Sequence, residues 1–398
     1  MKMKTISFKQ VLLLLCAAVI LLSVYFSWTN PVATLIRNNR NINFVIVGTD
    51  WVDYARHSDT IIFLTYNPRK RLFDVISVPR DTRIELPGTR VKKINEVYAY
   101  YWKSQKNHMS ALQAFCRVVS NVFQNRFDSV FYIHIDYTLF SRFIDILGGV
   151  KIDIEEPMHY TDRAGKLNIN FDPGAHLLGG RRALEYVRFR GSAGDIGRIY
   201  RQQRFIRATL NRIRSPQTIL RMPAILKFFT QVPNKNFGLW DMIILLFEIK
   251  NADFGNIRLA QLPGRFSGPY WLANETQINH VMDLILGPGM FETSKITVEV
   301  YNASGNRGVA LDVTRQLRDA GFDVVDYGNY PTEQLKTIVV DRVGNLAASR
   351  SIAKAVNTEE IFTRYDSPEK RLADITVIIG REYGKHNNAI KAWSIKDK

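Results

Sequence analysis

The chain has 398 residues, 54 Lys and Arg against 37 Asp and Glu, and a formal charge of +17, with 46% hydrophobic and 12% aromatic residues. That much apolar side chain builds real cores and excludes a disordered tail protein, while the length suits two or three domains. The basic excess points to an anionic partner, which leaves nucleic acid, a membrane surface or a phosphorylated substrate.

Lys2, Lys4 and Lys9 precede an uncharged run from Val11 to Trp28, long enough to cross a bilayer at about 1.5 Å per residue. Basic residues before the span keep that end in the cytoplasm and export the rest of the chain. The run is longer than the apolar region of a cleaved signal peptide, so residues 1–40 read as a cytoplasmic tip, a single signal-anchor helix and a stalk. Export removes the basic body from the chromosome and argues against nucleic acid. The two cysteines, Cys16 in the span and Cys116 in the body, lie on different sides of any export step, so no intramolecular disulfide is expected.

Beyond the stalk, NFVIVG (Asn43–Gly48), TIIFLTY (Thr60–Tyr66) and LFDVISV (Leu72–Val78) read as buried strands. INEVYAYYW and SALQAFCRVVSNVFQ read as helices, VFYIHI as a strand, YTLFSRFIDIL as a helix ended by Gly148-Gly149, and VKIDI as a strand. A looser stretch, Glu155–Gly180, leads to two helices separated by GSAGD, and Ser215–Pro288 is mostly helical in pattern. The pattern restarts after Glu292 as a small βαββαβ-like module. The expectation is therefore an α/β protein: a layered mixed-sheet catalytic domain with flanking helices (41–288), a small α/β C-terminal domain (289–385) and a tail (386–398) behind one transmembrane helix.

Charge is uneven over these parts. The C-terminal module, Lys295–Lys398, is nearly neutral with 16 basic and 14 acidic residues, whereas Gly180–Arg214 holds ten Arg, no Lys and only two acids. Exclusive use of Arg suggests planar, two-pronged recognition of phosphate or carboxylate oxygens. Arg188, Arg190 and Arg198 are the candidate ligands, with Gln202 four residues beyond Arg198 on one stripe of a helix whose apolar face holds Ile199, Ile206, Leu210 and Ile213. Arg201, Arg204, Arg207, Arg212 and Arg214 spread further round, several as surface charges. A basic helix lying on anionic lipid is the competing account.

Upstream, GTD ends the first strand with Asp50, HSDT puts Asp59 at the start of the second, and VPRDTR places Arg80 and Asp81 just past the third. Carboxylates and an Arg at neighbouring strand ends can share one crevice, and carboxylates beside Arg suit Mg²⁺-assisted phosphoryl transfer. Turn-capping for Asp50 and Asp59, and an ion pair for Asp81, explain the same spacing. His57, His108, His134, His159 and His176 are scattered and read as structural or solvent-facing.

GTD, HSDTII, ISVPRDTRIELPG, KINEVYAY, LGG, ALEYVRFR and DIGRIYRQQ, in this order behind a signal anchor, resemble the LytR-CpsA-Psr family of envelope phosphotransferases. VEVYNASGNRG, LRDAGFDV and DITVIIG resemble the accessory C-terminal domain that many members carry. The resemblance implies a transfer of a glycan or teichoic-type polymer from a polyprenyl pyrophosphate carrier to a peptidoglycan hydroxyl, with release of polyprenyl phosphate. It implies Mg²⁺ (or Mn²⁺) on Asp50 and Asp59, pyrophosphate binding by Arg80, Arg188, Arg190, Arg198 and Gln202, and catalytic roles for Arg80, Asp81 and Arg198. Lys93 matches a motif position of open role. The sequence departs from the family around Trp51–Arg56, at His57-Ser58 and at Tyr101-Trp102. The helices Ser110–Gln124 and Tyr137–Leu147 are candidates to wall the polyprenyl chain or to serve as ordinary core. A non-catalytic envelope module that binds anionic polymer or lipid, and a lipid pyrophosphate phosphatase, are the alternatives.

Overall fold

The computed structural model describes residues 28–49, 58–127, 130–154, 156–162, 167–189, 194–251, 257–286, 296–365 and 371–383, without the side chains of 59, 162, 167, 194–200 and 249–251. The apolar run Val11–Trp28 lies outside them except for Trp28; among the described residues no helix is long and apolar enough to cross a membrane.

Helix α1 (Pro31–Arg37) starts at Asn30, whose side chain accepts the Ala33 N–H at 3.0 Å, with Pro31 in the first turn where its missing N–H costs nothing. It leads to β1 (Ile42–Thr49), β2 (Ser58–Asn67) and β3 (Leu72–Val78). Next come α2 (Ile94–Gln105), α3 (His108–Val122), β4 (Val130–Asp136), α4 (Tyr137–Leu147) and β5 (Val150–Ile154). The stretch expected to be loose forms β6 (Met158–Asp162), β7 (Leu167–Phe171) and β8 (Gly174–Leu178), in two antiparallel pairs, β6 with β7 and β5 with β8. Ile169, Phe171 and Leu178 supply their buried contacts; the intervening polar residues face solvent and mask the pattern.

Helices α5 (Gly180–Arg188), α6 (Gly194–Arg214), α7 (Pro216–Leu220), α8 (Met222–Gln231) and α9 (Leu239–Asn251) follow. Within the segment expected to be mostly helical lie three strands, β9 (Ile257–Gln261), β10 (Gly264–Ser267) and β11 (Tyr270–Ala273), before α10 (Glu275–Leu286). β9 completes a five-stranded sheet in the order β4-β1-β2-β3-β9, with β1–β2 and β2–β3 antiparallel and β1–β4 and β3–β9 parallel. Alternation along the strands fills both faces. Val45, Val47, Ile61 and Phe63 pack with residues of α2, α3 and α10, while Ile42, Tyr66, Phe73 and Val75 pack with residues of α1, α6 and α9. This three-layer arrangement agrees with the expected mixed-sheet domain.

The C-terminal module comprises β12 (Thr297–Asn302), α11 (Val309–Asp319), β13 (Asp323–Asn329), β14 (Ile338–Asp341), α12 (Leu346–Ala355), β15 (Ile361–Thr363) and β16 (Ile375–Ile379). Its sheet runs β13-β12-β16-β14-β15, with β14 antiparallel to β16 and the other pairs parallel. The three-residue β15 is the strand the sequence pattern omitted, too short to show a period.

Candidate active site

The central sheet gathers its chemistry at one rim. β1, β3, β4 and β9 end there and β2 begins there: Thr49 is opposite Ser58 and Asp136, Val78 opposite Ile61, and Gln261 opposite Ser77. With strands about 4.8 Å apart, the rim from β4 to β3 spans roughly 15 Å, a width that extended Arg side chains can bridge.

At the centre of the rim the pairing of β1 with β2 shifts between Gly48 and Thr49: Gly48 faces Thr60 and Thr49 faces Ser58, leaving Asp59 without a register partner. Such a bulge bends the strand and re-aims a side chain. Gly48 permits the close approach here, because a Cβ on it would lie 2.9 Å from the Thr60 Cβ. Asp50, directly after Thr49, and Arg190 lie outside the described residues, as do the side chains of Asp59 and Arg198. Among the described residues no group of three or more His, Cys, Asp or Glu side chains forms a metal cluster.

Behind Thr49 is a histidine that the sequence reads as structural or solvent-facing, and its place is structural. His134 on β4 is 5% exposed, its Nε2 lies 2.7 Å from the Thr49 Oγ1, and its Nδ1 lies 3.3 Å from the Asn234 amide. The Tyr98 ring lies nearby, tilted 34° to the His134 ring with centroids 5.2 Å apart, and its hydroxyl lies 2.7 Å from the His108 Nδ1. The available signal was a polar residue inside the apolar run VFYIHI: a buried imidazole must be hydrogen-bonded to be tolerated.

On the β3 side, Arg80 and Asp81 occupy the tip of a turn closed by Thr82, whose backbone N–H and Oγ1–H both donate to the Pro79 carbonyl at 3.0 and 2.6 Å. The turn is pinned from two directions. Its Arg80 and Thr82 carbonyls accept the Asn95 and Ile94 N–H groups at the start of α2, and the Asp81 carbonyl accepts the Trp271 N–H of β11. Asp81 Oδ1 accepts a hydrogen bond from the Lys93 ammonium at 2.7 Å, and its Oδ2 lies 3.7 Å from the Arg80 Nε. Asp81 is thus ion-paired, as one sequence reading allowed, chiefly to Lys93. The Arg80 side chain is 37% exposed at the crevice. Lys93 gains a role from this geometry: with Asp81 it braces the turn that presents Arg80.

On the β4 side, Arg188 at the end of α5 lies over the ring of Tyr137, 4.9 Å from its centroid, a cation–π contact that orients a guanidinium while leaving its N–H groups to donate. Tyr137 directly follows Asp136 at the rim and borders an open groove of about 720 Å³ that also involves Ser141, Arg142, Asp145 and Leu184. Gln202, half-buried on α6, lies one turn beyond Arg198.

Of the remaining Arg of α6, Arg214 is exposed as expected of a surface charge, whereas three others are engaged with the protein. Arg201 donates to the Phe189 carbonyl at 3.1 Å, Arg212 to the Leu147 carbonyl at 3.0 Å, and Arg207 to carbonyls of the C-terminal module. The apolar face is also divided: Ile206 and Leu210 join the core beneath the central sheet, while Phe205, Ala208 and Ile213 join the core of β5–β8. Of the two helices considered for the polyprenyl chain, α3 buries its apolar side in the main core, where burial pushes the Cys116 thiol up to about 12 and makes it inert. The α4 residues Leu139, Phe143 and Ile146 pack in a partly buried layer with Phe228, Phe229 and Phe237.

Among the described residues this rim carries an Arg at either side, Arg80 beside β3 and Arg188 beside β4, an arrangement that suits binding of an anionic group. The chain belongs to the LytR-CpsA-Psr family: that family's model, LytR_cpsA_psr, matches residues 25–284, and the model described as LytR cell envelope-related transcriptional attenuator matches residues 295–383. Over 260 residues the chain is 28% identical to a polyisoprenyl-teichoic acid–peptidoglycan teichoic acid transferase, TagU, of Oceanobacillus iheyensis, covering 64% of this chain and 78% of the relative. It is 23% identical over 349 residues to the cell wall biosynthesis protein LcpA of Corynebacterium glutamicum, covering 74% of this chain and 65% of that one. The crystal structure of Bacillus subtilis TagV shares the fold, with a TM-score of 0.51 and 24% identity over 62% of this chain and 96% of the other.

Proposed function

We propose that the protein is a membrane-anchored phosphotransferase that moves a glycan or teichoic-type polymer from a polyprenyl pyrophosphate to a peptidoglycan hydroxyl and releases polyprenyl phosphate. The observation that carries this reading is the arrangement of the rim: Arg80 on its braced turn at one side, Arg188 on Tyr137 at the other, and the Asp59 bulge between them. The named relatives, teichoic acid transferases and a cell wall biosynthesis protein, act in the same envelope chemistry.

Asp50, which directly follows β1 in the sequence, and Asp59 at the start of β2 would offer hard carboxylate oxygens that suit Mg²⁺ or Mn²⁺, and they are the residues that would hold it. Such an ion would supply charge neutralisation for the pyrophosphate. Arg80, Arg188, Arg190, Arg198 and Gln202 grip the phosphate oxygens. The acceptor hydroxyl oxygen bonds to the glycan-side phosphorus, and the bridging P–O bond breaks with its electron pair leaving on polyprenyl phosphate. Because that leaving group is already good, positioning and charge neutralisation carry most of the rate without a covalent enzyme intermediate. Asp81, whose Oδ1 is held by Lys93 and whose Oδ2 lies 3.7 Å from the Arg80 Nε, is the carboxylate that would receive the hydroxyl proton through Oδ2.

Seating on a membrane is supported by the surface beside the stalk. Asn30 donates to Asp241 at 2.7 Å, which places α9 against the start of α1, and α9 exposes Leu239, Trp240 and Phe247 there. Apolar and Trp side chains in such a position suit the interface of a bilayer.

The test is transfer of a radiolabelled polymer from its polyprenyl pyrophosphate carrier to peptidoglycan, with lipid phosphate release measured in parallel. Arg80→Ala and Arg198→Ala each lower both by about a hundredfold or more while the fold is retained; full activity in both variants overturns the assignment. Lipid phosphate released with free polymer instead of a phosphodiester product identifies a phosphatase. Mg²⁺-independent polymer binding without release identifies a binding module.

A further inference from the structure

β9 and β15 are the outer strands of their respective sheets, and they lie side by side where the C-terminal module meets the first domain. An outer strand leaves backbone carbonyls unpaired, and these must be covered or solvated. Here the cover comes from the Arg-rich helix. Arg207 of α6 donates through Nη2 to the Ile361 carbonyl at 2.5 Å and through Nη1 to the Glu359 carbonyl at 3.2 Å, which also accepts the Ile361 N–H at 3.1 Å. One turn earlier, Arg204 pairs with the Glu360 carboxylate, Nε to Oε1 being 3.5 Å, and Lys336 bridges from Glu360 at 3.7 Å to Asp153 of β5 at 3.4 Å. These residues follow Arg198 and Gln202 on the same helix, so the contact is about one to two turns from the candidate pyrophosphate grip, and a helix transmits displacement over that distance as a rod.

A second set of contacts fixes the module that makes the clamp. Arg258 of β9 holds both oxygens of Asp74 on β3 and also donates through Nη1 to the Gly344 carbonyl of the C-terminal module at 3.3 Å. Gly344 has φ +80°, and a Cβ there would lie 3.0 Å from the Tyr365 ring, which is itself buried in the core of the first domain. Docking is therefore built into both surfaces, with a buried guanidinium and a glycine whose conformation and space other residues do not fit.

We propose that the C-terminal module is a positioning clamp for α6: through the carbonyls of Glu359 and Ile361 and the carboxylate of Glu360, it holds Arg204 and Arg207 and so sets the helix that presents Arg198 and Gln202 to the pyrophosphate. The link to pyrophosphate rests on the function proposed above; the clamping of α6 does not. Arg204 and Arg207 are positioning residues, and the module acts on the active site without contributing a group to it.

The experiment compares full-length wild type, Arg207→Ala and Arg207→Lys by hydrogen exchange and by binding of geranylgeranyl pyrophosphate as a short probe. Arg207→Ala speeds exchange in residues 200–214 and weakens probe binding about tenfold, less than the direct loss of two charge-assisted hydrogen bonds because the effect reaches the grip only through the helix, while exchange in β1–β3 stays as in wild type. Arg207→Lys, which keeps the charge and one donor group, recovers most of the loss. Glu360→Gln gives a smaller change in the same direction, as a readout that leaves Arg207 intact. Unchanged exchange in α6 overturns the clamp. Faster exchange with unaltered probe affinity overturns its link to the grip. If wild type binds no pyrophosphate, the proposed function falls, and the exchange measurement alone decides whether α6 is clamped.

Discussion

β3 and the turn that follows it hold two acidic residues of opposite use. Asp74, in the middle of the strand, is 3% exposed and is gripped on both oxygens by an equally buried Arg258, whereas Asp81, three residues past the strand end, is 28% exposed and shares its charge between Lys93 and Arg80. The first pair is dry and saturated, so its guanidinium has no donor directed to a crevice. The second lies at the rim, where Arg80 keeps exposed surface for a ligand. An Arg beside an Asp therefore says little about catalysis until exposure and remaining donors are known, since desolvated pairs serve cohesion and half-open ones can serve binding.

The comparison breaks first at the buried pair. Arg258→Ala leaves Asp74 charged and alone in a dry site, and unfolding by denaturant shows a loss of about 3–5 kcal/mol. An Asp74→Leu/Arg258→Met double variant recovers most of it, since apolar groups of similar volume remove the stranded charge. A loss confined to the first domain's transition also identifies whether the Gly344 contact contributes to docking. At the rim the order of effects reverses. Arg80→Ala lowers polymer transfer by about a hundred- to a thousandfold, the scale of removing one preorganised donor from a developing oxyanion, while the melting temperature stays near that of wild type. Lys93→Met, which frees the Asp81 carboxylate and loosens the turn, lowers transfer about tenfold, as expected for a lost charge-assisted hydrogen bond.

The same contrast explains how far the sequence could be read. Strands with unbroken apolar runs, such as Phe44–Val47, announce themselves, as do the amphipathic helices α3 and α4. β9 does not, because Arg258 interrupts IRLAQ and only the tertiary partner Asp74 makes that Arg acceptable in a core. The placement of Arg80 and Asp81 just past a strand and of Arg188 on a helix was legible from the sequence pattern, since these residues sit at element ends. The brace of Asp81 by Lys93, the cation–π seat of Arg188 on Tyr137 and the support of Thr49 by His134 join residues between 12 and 85 positions apart. No local period encodes such pairs. The partners of Arg201, Arg207 and Arg212 were hidden for a related reason: a sequence shows a charge, but the carbonyls at the end of another helix or on another module's edge strand that receive it are set by the fold.

The smallest expected effect lies in the C-terminal module and sharpens the contrast between used and stored charge. Asp341 ends β14 with no exposed surface, and its Oδ1 accepts the N–H groups of Val343, Gly344 and Asn345 at 3.0, 2.7 and 3.1 Å, while Oδ2 is buried without a hydrogen-bond partner. Burial pushes the carboxyl up to about 6 from 3.8, against the lowering effect of the three N–H groups and of Arg258. The folded state thus binds this proton more tightly than the unfolded chain, and the group's contribution to stability falls as pH rises from about 4 to about 6, then stays constant. Asn at this position keeps one acceptor oxygen for the three N–H groups and cannot ionise. Melting curves of wild type and Asp341→Asn therefore diverge in favour of the variant over that window and run parallel above it, whatever their offset at pH 4. Parallel curves throughout would show that Arg258 keeps Asp341 ionised in the folded protein, and that this buried charge is compensated across the module boundary much as Asp74 is within the sheet.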